Sequence, residues 1–232
     1  MTASAPGFEQ LVLEAGAERL PCVRRGPDGG ARLLIIQPLL EEMNRTRRLL
    51  AQTGAALATL GVVSWLPDWP GTGDHAEPDF SVTRARAAAA DAARAIGADG
   101  VLAVRGGALF VPEGVPALLF APAEGAAILR DLLRARVAAD AASGAGSTMA
   151  QLEARLTAGE ALDLAGYPMT AALADALRAA TVLRSGARVV ALNADDGDVR
   201  LDGPPVWRQS EPEAAGALAA ALACEVAAWL GR

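Results

Sequence analysis

The chain has no lysine, a single histidine and only two cysteines among its 232 residues, and aromatic residues make up just 4%. All of its positive side-chain charge is therefore arginine, and the formal net charge is −6. With a pI near 4.9 and no basic run, the chain lacks the clustered cations that phosphate backbones require, which argues against nucleic acid as a partner. Cys22 and Cys224 stand far apart and fit neither a disulfide framework nor a metal site; both read as small core residues. No window offers the roughly 18 uncharged apolar residues of a membrane span. The N-terminus, Met-Thr-Ala-Ser-Ala-Pro-Gly-Phe-Glu, shows neither the basic start nor the apolar core of a secretion signal. The expectation is a cytoplasmic protein without a membrane span. What the chain does have is 52% hydrophobic residues, enough for one sizeable core.

Short apolar and polar alternation over Gln10–Leu13 and Arg19–Val23 predicts an antiparallel hairpin at the start. Leu33–Ile36 is a continuous apolar run, as in a strand covered on both faces. Helical spacing follows from about Arg45 to Leu60, where Gly61 stops it, and Val62–Leu66 returns to strand. A turn-rich loop, Pro67 to His75, leads to an alanine-rich helix over Ser81–Ile96 and a strand over Val101–Arg105. This alternation predicts an α/β fold with a doubly wound, mostly parallel sheet.

The strand ending at Arg105 runs into Gly106-Gly107. That is the setting of the G-x-S-x-G nucleophile elbow of α/β-hydrolases, in which a serine ends the strand. Here the pentad is Ala103, Val104, Arg105, Gly106, Gly107, and an arginine cannot be acylated. Eleven residues separate Arg105 from the next strand, Ala117–Phe120, so the elbow helix is short or missing. A hairpin of Val101–Arg105 with Ala108–Val111 is the alternative. A truncated elbow would also expose apolar surface that a homodimer could cover. A Ser-His-acid triad needs a base after the last strands, but the one histidine, His75, precedes the elbow and reads first as a solvated loop residue. Ser143 and Ser147 fall in a Ser-Gly-Ala-Gly-Ser stretch that reads as a flexible linker.

Two further segments carry a resemblance. Gln37-Pro38-Leu39-Leu40-Glu41-Glu42-Met43-Asn44-Arg45 and Asp68-Trp69-Pro70-Gly71-Thr72-Gly73-Asp74 resemble exosortase-A-associated hydrolases of the second type. The likeness continues more weakly through Leu129–Ala138, Glu160–Thr170 and Gly203-Pro204-Pro205-Val206-Trp207. The resemblance implies an α/β-hydrolase-like fold and a bacterial exopolysaccharide or protein-sorting setting, with no cofactor.

In such a fold the helices expected over residues 126–180, separated at Gly144-Ala145-Gly146 and Gly166-Tyr167-Pro168, would form a lid inserted in a single domain spanning residues 1–232. Thr170 is a candidate N-cap. The last helix, about Glu211 to Leu230, would turn Leu218, Leu222, Val226, Trp229 and Leu230 to the sheet. Asp195-Asp196-Gly197-Asp198 reads as a hairpin turn rather than a metal site.

The chemistry collects where ligands bind in open α/β sheets, at the carboxyl ends of the strands. Glu41, Glu42, Asn44 and Arg45 follow the Leu33–Ile36 strand, with Arg105 and Gly106 on the next strand and Asp74 and His75 on a nearby loop. An arginine there can clamp a carboxylate or phosphate, so the expected role is to bind a small anionic molecule, an acyl compound or a protein partner. Arg105 and Glu42 could equally form a structural ion pair, with Asn44 as an N-cap. The alternative function is an esterase or acyl hydrolase in which Glu42, or Asp74 with His75, activates water.

Overall fold

The computed structural model describes residues 7–77, 79–209 and 215–232. Those residues divide into two compact units. One is built from the chain up to Pro122 and from Leu183 onward, and the other from Ala123–Val182.

In the first unit, β1 (Phe8–Ala15) and β2 (Glu18–Arg25) form the expected hairpin. Then come β3 (Ala31–Ile36), α1 (Glu41–Thr59), β4 (Val62–Pro67), α2 (Val82–Ile96), β5 (Gly100–Val104) and β6 (Ala117–Phe120). After the second unit the chain adds β9 (Arg188–Leu192), β10 (Val199–Leu201) and α6 (Gly216–Trp229). The eight strands lie in the order β1-β2-β4-β3-β5-β6-β9-β10. Only the pairings of β1 with β2 and of β2 with β4 are antiparallel.

Every residue of β5 is buried, as a central parallel strand covered on both faces must be. Leu33, Ile35, Leu102, Val104, Leu118, Phe120 and Val190 point one way. They form a single cluster with Leu49, Leu50 and Leu57 of α1 and Leu218, Leu222 and Val226 of α6. Each such leucine contributes about 2 kcal/mol on burial. α2 packs against β1 and β3 outside that cluster, so the sheet is doubly wound. The alanines of α2 at 85, 88, 89, 92 and 93 are buried, Ser81 caps the helix start, and Gly97 in the left-handed region ends it. In α6 the face expected from spacing is the buried one, while the expected start at Glu211 lies outside the described residues.

Several expectations need correction. Asn44 is no N-cap, because α1 begins at Glu41 and Leu40 holds that position. β9 and β10 are parallel, not a hairpin. The six residues between them fold back along β9, where Asp198 donates its N–H to the Val189 carbonyl at 2.8 Å and its carboxylate accepts from the Val189 N–H at 2.7 Å. That return replaces the longer crossover a parallel pair usually needs. The segment after Arg105 is not a strand either: Arg105–Phe110 is a 3-10 helix. Its Ala108, Leu109 and Phe110 are buried, so it offers no apolar surface for a dimer to cover. Cys22 is buried, which pushes its thiol up to about 12. Cys224, expected in the core, is exposed.

The second unit holds α3 (Gly125–Ala142), α4 (Met149–Thr157), β7 (Leu162–Leu164), β8 (Tyr167–Met169) and α5 (Ala171–Ala179). The break at Gly166-Tyr167-Pro168 is thus part of an antiparallel hairpin, with Ala165 and Gly166 at positive φ in its turn. Thr170 caps α5 as expected, accepting from the Leu173 N–H at 3.2 Å. The glycine-serine stretch is tied down rather than loose. Ser147 donates to the Asp140 carboxylate, Ser143 donates to the Asp140 carbonyl at 3.0 Å, and Arg136 joins from the helix at 2.7 Å. The Ser147 bond, then Arg136, holds the Asp140 carboxyl below the usual range.

Gly107 has no room for a side chain: a β-carbon there would stand 2.4 Å from the Ile36 carbonyl oxygen and 2.7 Å from that of Gln37. Gly107→Ala should therefore cost about 2 kcal/mol or more in urea unfolding. A cost within about 0.5 kcal/mol would show that the turn does not depend on that approach.

Candidate functional site

β5 ends at Val104, and Arg105 follows in the left-handed region with φ of 52°. That conformation is uncommon for a residue with a β-carbon. It recurs at Ala121 (φ 45°), directly after β6, at Asn193 (φ 56°), directly after β9, and at Leu40 (φ 54°) on the loop leaving β3. Strain of this kind persists only where surrounding contacts enforce it, and it concentrates at functional sites. Here it marks the carboxyl ends of four strands of one sheet.

The contacts that hold Arg105 are specific. Its Nε donates to both Glu42 carboxylate oxygens at 3.3 and 3.2 Å, and its Nη2 donates to Oε1 at 2.8 Å. Nη1 donates to the Ala121 carbonyl at 3.2 Å. The Trp207 ring lies against the guanidinium with the carbon 4.8 Å from the ring centroid, a cation–π contact. The Arg105 and Glu42 side chains are only 12% and 18% exposed. A bidentate pair in this setting is geometrically defined, and it leaves two of the five guanidinium N–H groups unassigned.

Glu41 pairs with Arg45 one turn along α1, and Arg45 donates to the Trp207 carbonyl at 3.2 Å. Glu41, Glu42, Arg45, Arg105 and Trp207 thus form one cluster, with buried Gly106 beside Arg105. Asn44 is exposed on α1 and stays outside it.

Asp74 and His75 belong to a different arrangement. The Asp68 carboxylate accepts from Gln37 Nε2 at 3.0 Å and from the Asp74 N–H at 2.9 Å. A β-carbon on Gly73 would stand 2.3 Å from that carboxylate, which is why the loop needs glycine there. The Asp-Trp-Pro-Gly-Thr-Gly-Asp motif therefore wraps the loop around Asp68. His75, far from being solvated, has a side chain only 5% exposed, with Nε2 3.5 Å from Glu18. Its Nδ1 accepts from the Glu77 N–H at 3.2 Å. The contacts of Asp74 and His75 run instead to Asp68, Glu18 and Glu77.

Sequence reasoning gave Trp207 no role at the site. In hydrolases of this layout the catalytic base follows the last strands, and the segment after β10 here presents Trp207. Asn193, after β9, binds the backbone of Gly203 on that segment through both side-chain atoms, at 2.7 and 3.0 Å. Arg105, Ala121, Asn193, Trp207, Arg184 and Arg208 line a cavity of about 380 Å³, with Asp196 as its carboxylate. Trp207 is 6% exposed and its Nε1–H has no acceptor among the described residues. Arg208 is exposed and has no ion-pair partner among them. Among the described residues no cluster of histidine, cysteine and carboxylate could hold a metal ion. No helix among them is long and apolar enough to cross a membrane.

A left-handed residue after the central strand, a glycine pressed on the neighbouring strand's end, and this sheet order reproduce the elbow without its nucleophile. The fold is α/β-hydrolase-like.

No family model matches the chain, and no curated protein does. Among solved structures it is similar to an epoxide hydrolase from Vigna radiata, at 18% identity and a TM-score of 0.40, over 49% of this chain and 40% of that one. It is also similar to the 2-hydroxy-6-oxo-6-phenylhexa-2,4-dienoate hydrolase of Rhodococcus sp. strain RHA1, at 12% identity and 0.41, over 50% and 47%. A third is an Agrobacterium vitis S4 protein provisionally called a hydrolase, at 16% and 0.44, over 82% and 79%. The match spans less than half the length of the first two enzymes, whose activities remain theirs.

Two predictions follow from these contacts. Glu42→Ala strands a largely buried guanidinium and should lower stability by about 3 kcal/mol. Adding Arg105→Leu should recover most of that loss, whereas additive costs would show that the pair is not coupled. Elsewhere, Arg84 bonds Glu18 at 2.6 and 2.8 Å and holds its carboxyl below the ordinary range, with a smaller contribution from His75. A lowered folded-state value means the contact stabilises fully above the unfolded-state value and fades as pH falls through the folded one. The gap in urea midpoint between the parent and Arg84→Met should therefore close on acidification; a gap independent of pH would contradict the assignment.

Proposed function

We propose that the protein is a hydrolase-like binding protein without Ser-His-acid chemistry, which holds a small anionic molecule at the carboxyl ends of β5, β6 and β9. The observation that carries this reading is a cavity of about 380 Å³ lined by Arg105, Arg184, Arg208 and Trp207, with Asp196 as its carboxylate. A carboxylate or phosphate answers the charge of Arg208 and the unassigned N–H groups of Arg105.

The alternative, an esterase or acyl hydrolase that activates water with Glu42 or with Asp74 and His75, needs a carboxylate free to take a proton. Glu42 is committed to Arg105, and the contacts of His75 run to Glu18 and Glu77. A role for Ala123–Val182 as a lid and a setting beside exopolysaccharide production or exosortase-linked protein sorting belong to this proposal. They rest on the place of that unit in the chain and on the family resemblance.

Calorimetric titration with inorganic phosphate, acetate and malonate tests it. At least one should bind, and Arg208→Ala, an exposed change that breaks no ion pair among the described residues, should weaken binding by about tenfold. Trp207→Phe should weaken it as well. No binding by any of the three, or binding that neither substitution alters, would sink the proposal.

A further inference from the structure

The free edge of the sheet at β1 is not used by the site. Among the described residues β1 ends the strand order and pairs on one side only, and it runs for eight residues. The opposite edge, β10, is three residues long and is flanked by the charge pairs of Arg200 with Asp195 and Asp202. An open edge strand is a template for another strand, and proteins that avoid this place proline, lysine, a bulge or a short strand there. The sequence of β1, Phe-Glu-Gln-Leu-Val-Leu-Glu-Ala, has no proline, lysine or bulge; its two charges, Glu9 and Glu14, lie beside arginines of β2, and its register with β2 is unbroken over all eight residues. Phe8 and Val12, on the same face by alternation, are 56% and 48% exposed. They are two of the four large hydrophobic residues exposed among the described residues.

We propose that two copies of the chain pair through β1, antiparallel about a two-fold axis at Leu11, so that the sheet continues from one copy into the other. A second copy fits because the strand is complementary to itself, as a two-fold interface requires. Centred on Leu11, antiparallel pairing sets Phe8 opposite Glu14, Glu9 opposite Leu13 and Gln10 opposite Val12. No like charges face each other. Glu14 keeps its bond to Arg19 at 2.9 Å and Glu9 its contact with Arg24 at 3.8 Å, both on the β2 of its own copy. Phe8 also borders a trough of about 450 Å³ in which Pro21, Val23, Leu50 and Leu66 lie beside Arg25, Arg47 and Asp68.

Sedimentation velocity over a concentration series tests this on the full chain. The parent should convert with concentration from the 23.6 kDa monomer to a species of twice that mass. Leu11→Glu places two like charges face to face at the axis and should weaken dimerisation about tenfold or more. Val12→Glu, on the exposed face, should weaken it too, with circular dichroism and melting temperature near those of the parent. In the parent, the β1 amides should exchange more slowly at high concentration. A monomer throughout the range would overturn the proposal, and so would a dimer that folded Val12→Glu and Leu11→Glu leave intact.

Discussion

An arginine cannot lose its proton inside a protein, so wherever it is taken from water its charge must be answered. At Arg105 the chain does this with a carboxylate from α1, a carbonyl from the end of β6 and the ring of Trp207 from beyond β10. One side chain thereby ties together the ends of separate strands and the first turn of a helix. Glu42 stands in that turn because acidic residues there also complement the helix dipole. The strained backbones at Leu40, Ala121 and Asn193 surround the same constraint.

On the proposed reading, that arrangement gives the elbow a different use. The turn that would present a serine keeps its left-handed φ and the close approach of Gly107, yet the residue it presents is a guanidinium that already carries its proton and is too poor a nucleophile to be acylated. The position after β10, where a histidine would serve as base, holds an indole whose N–H can only donate. Three arginines line the cavity with Asp196 as its carboxylate, and on the proposed reading that surface holds an anion.

Much of the fold was legible because local signals agreed with it. Leu33–Ile36, the alanine-rich stretch after Ser81 and the apolar run Ala117–Phe120 each declare their element, and their alternation dictates a parallel sheet. The failures have physical causes. The β9–β10 link was read as a hairpin because six residues seldom allow a parallel return, and the two Asp198 contacts that permit it are not visible from composition. Tyr167 sits in a hairpin three residues to a side, too short for a period to show. For the site, Arg105 facing Glu42 could be foreseen from strand order. Trp207 could not be placed, since its meeting with Arg105 depends on the whole sheet being assembled; its position after the last strand was the one available signal.

The most direct test of the central claim is turnover of a panel of short and long acyl esters and thioesters by the purified protein, with Arg105→Ala and Glu42→Ala alongside. The account predicts no turnover above the buffer rate for the parent. Turnover by the parent that disappears in either variant would contradict it and would show that the Glu42–Arg105 pair works as chemistry.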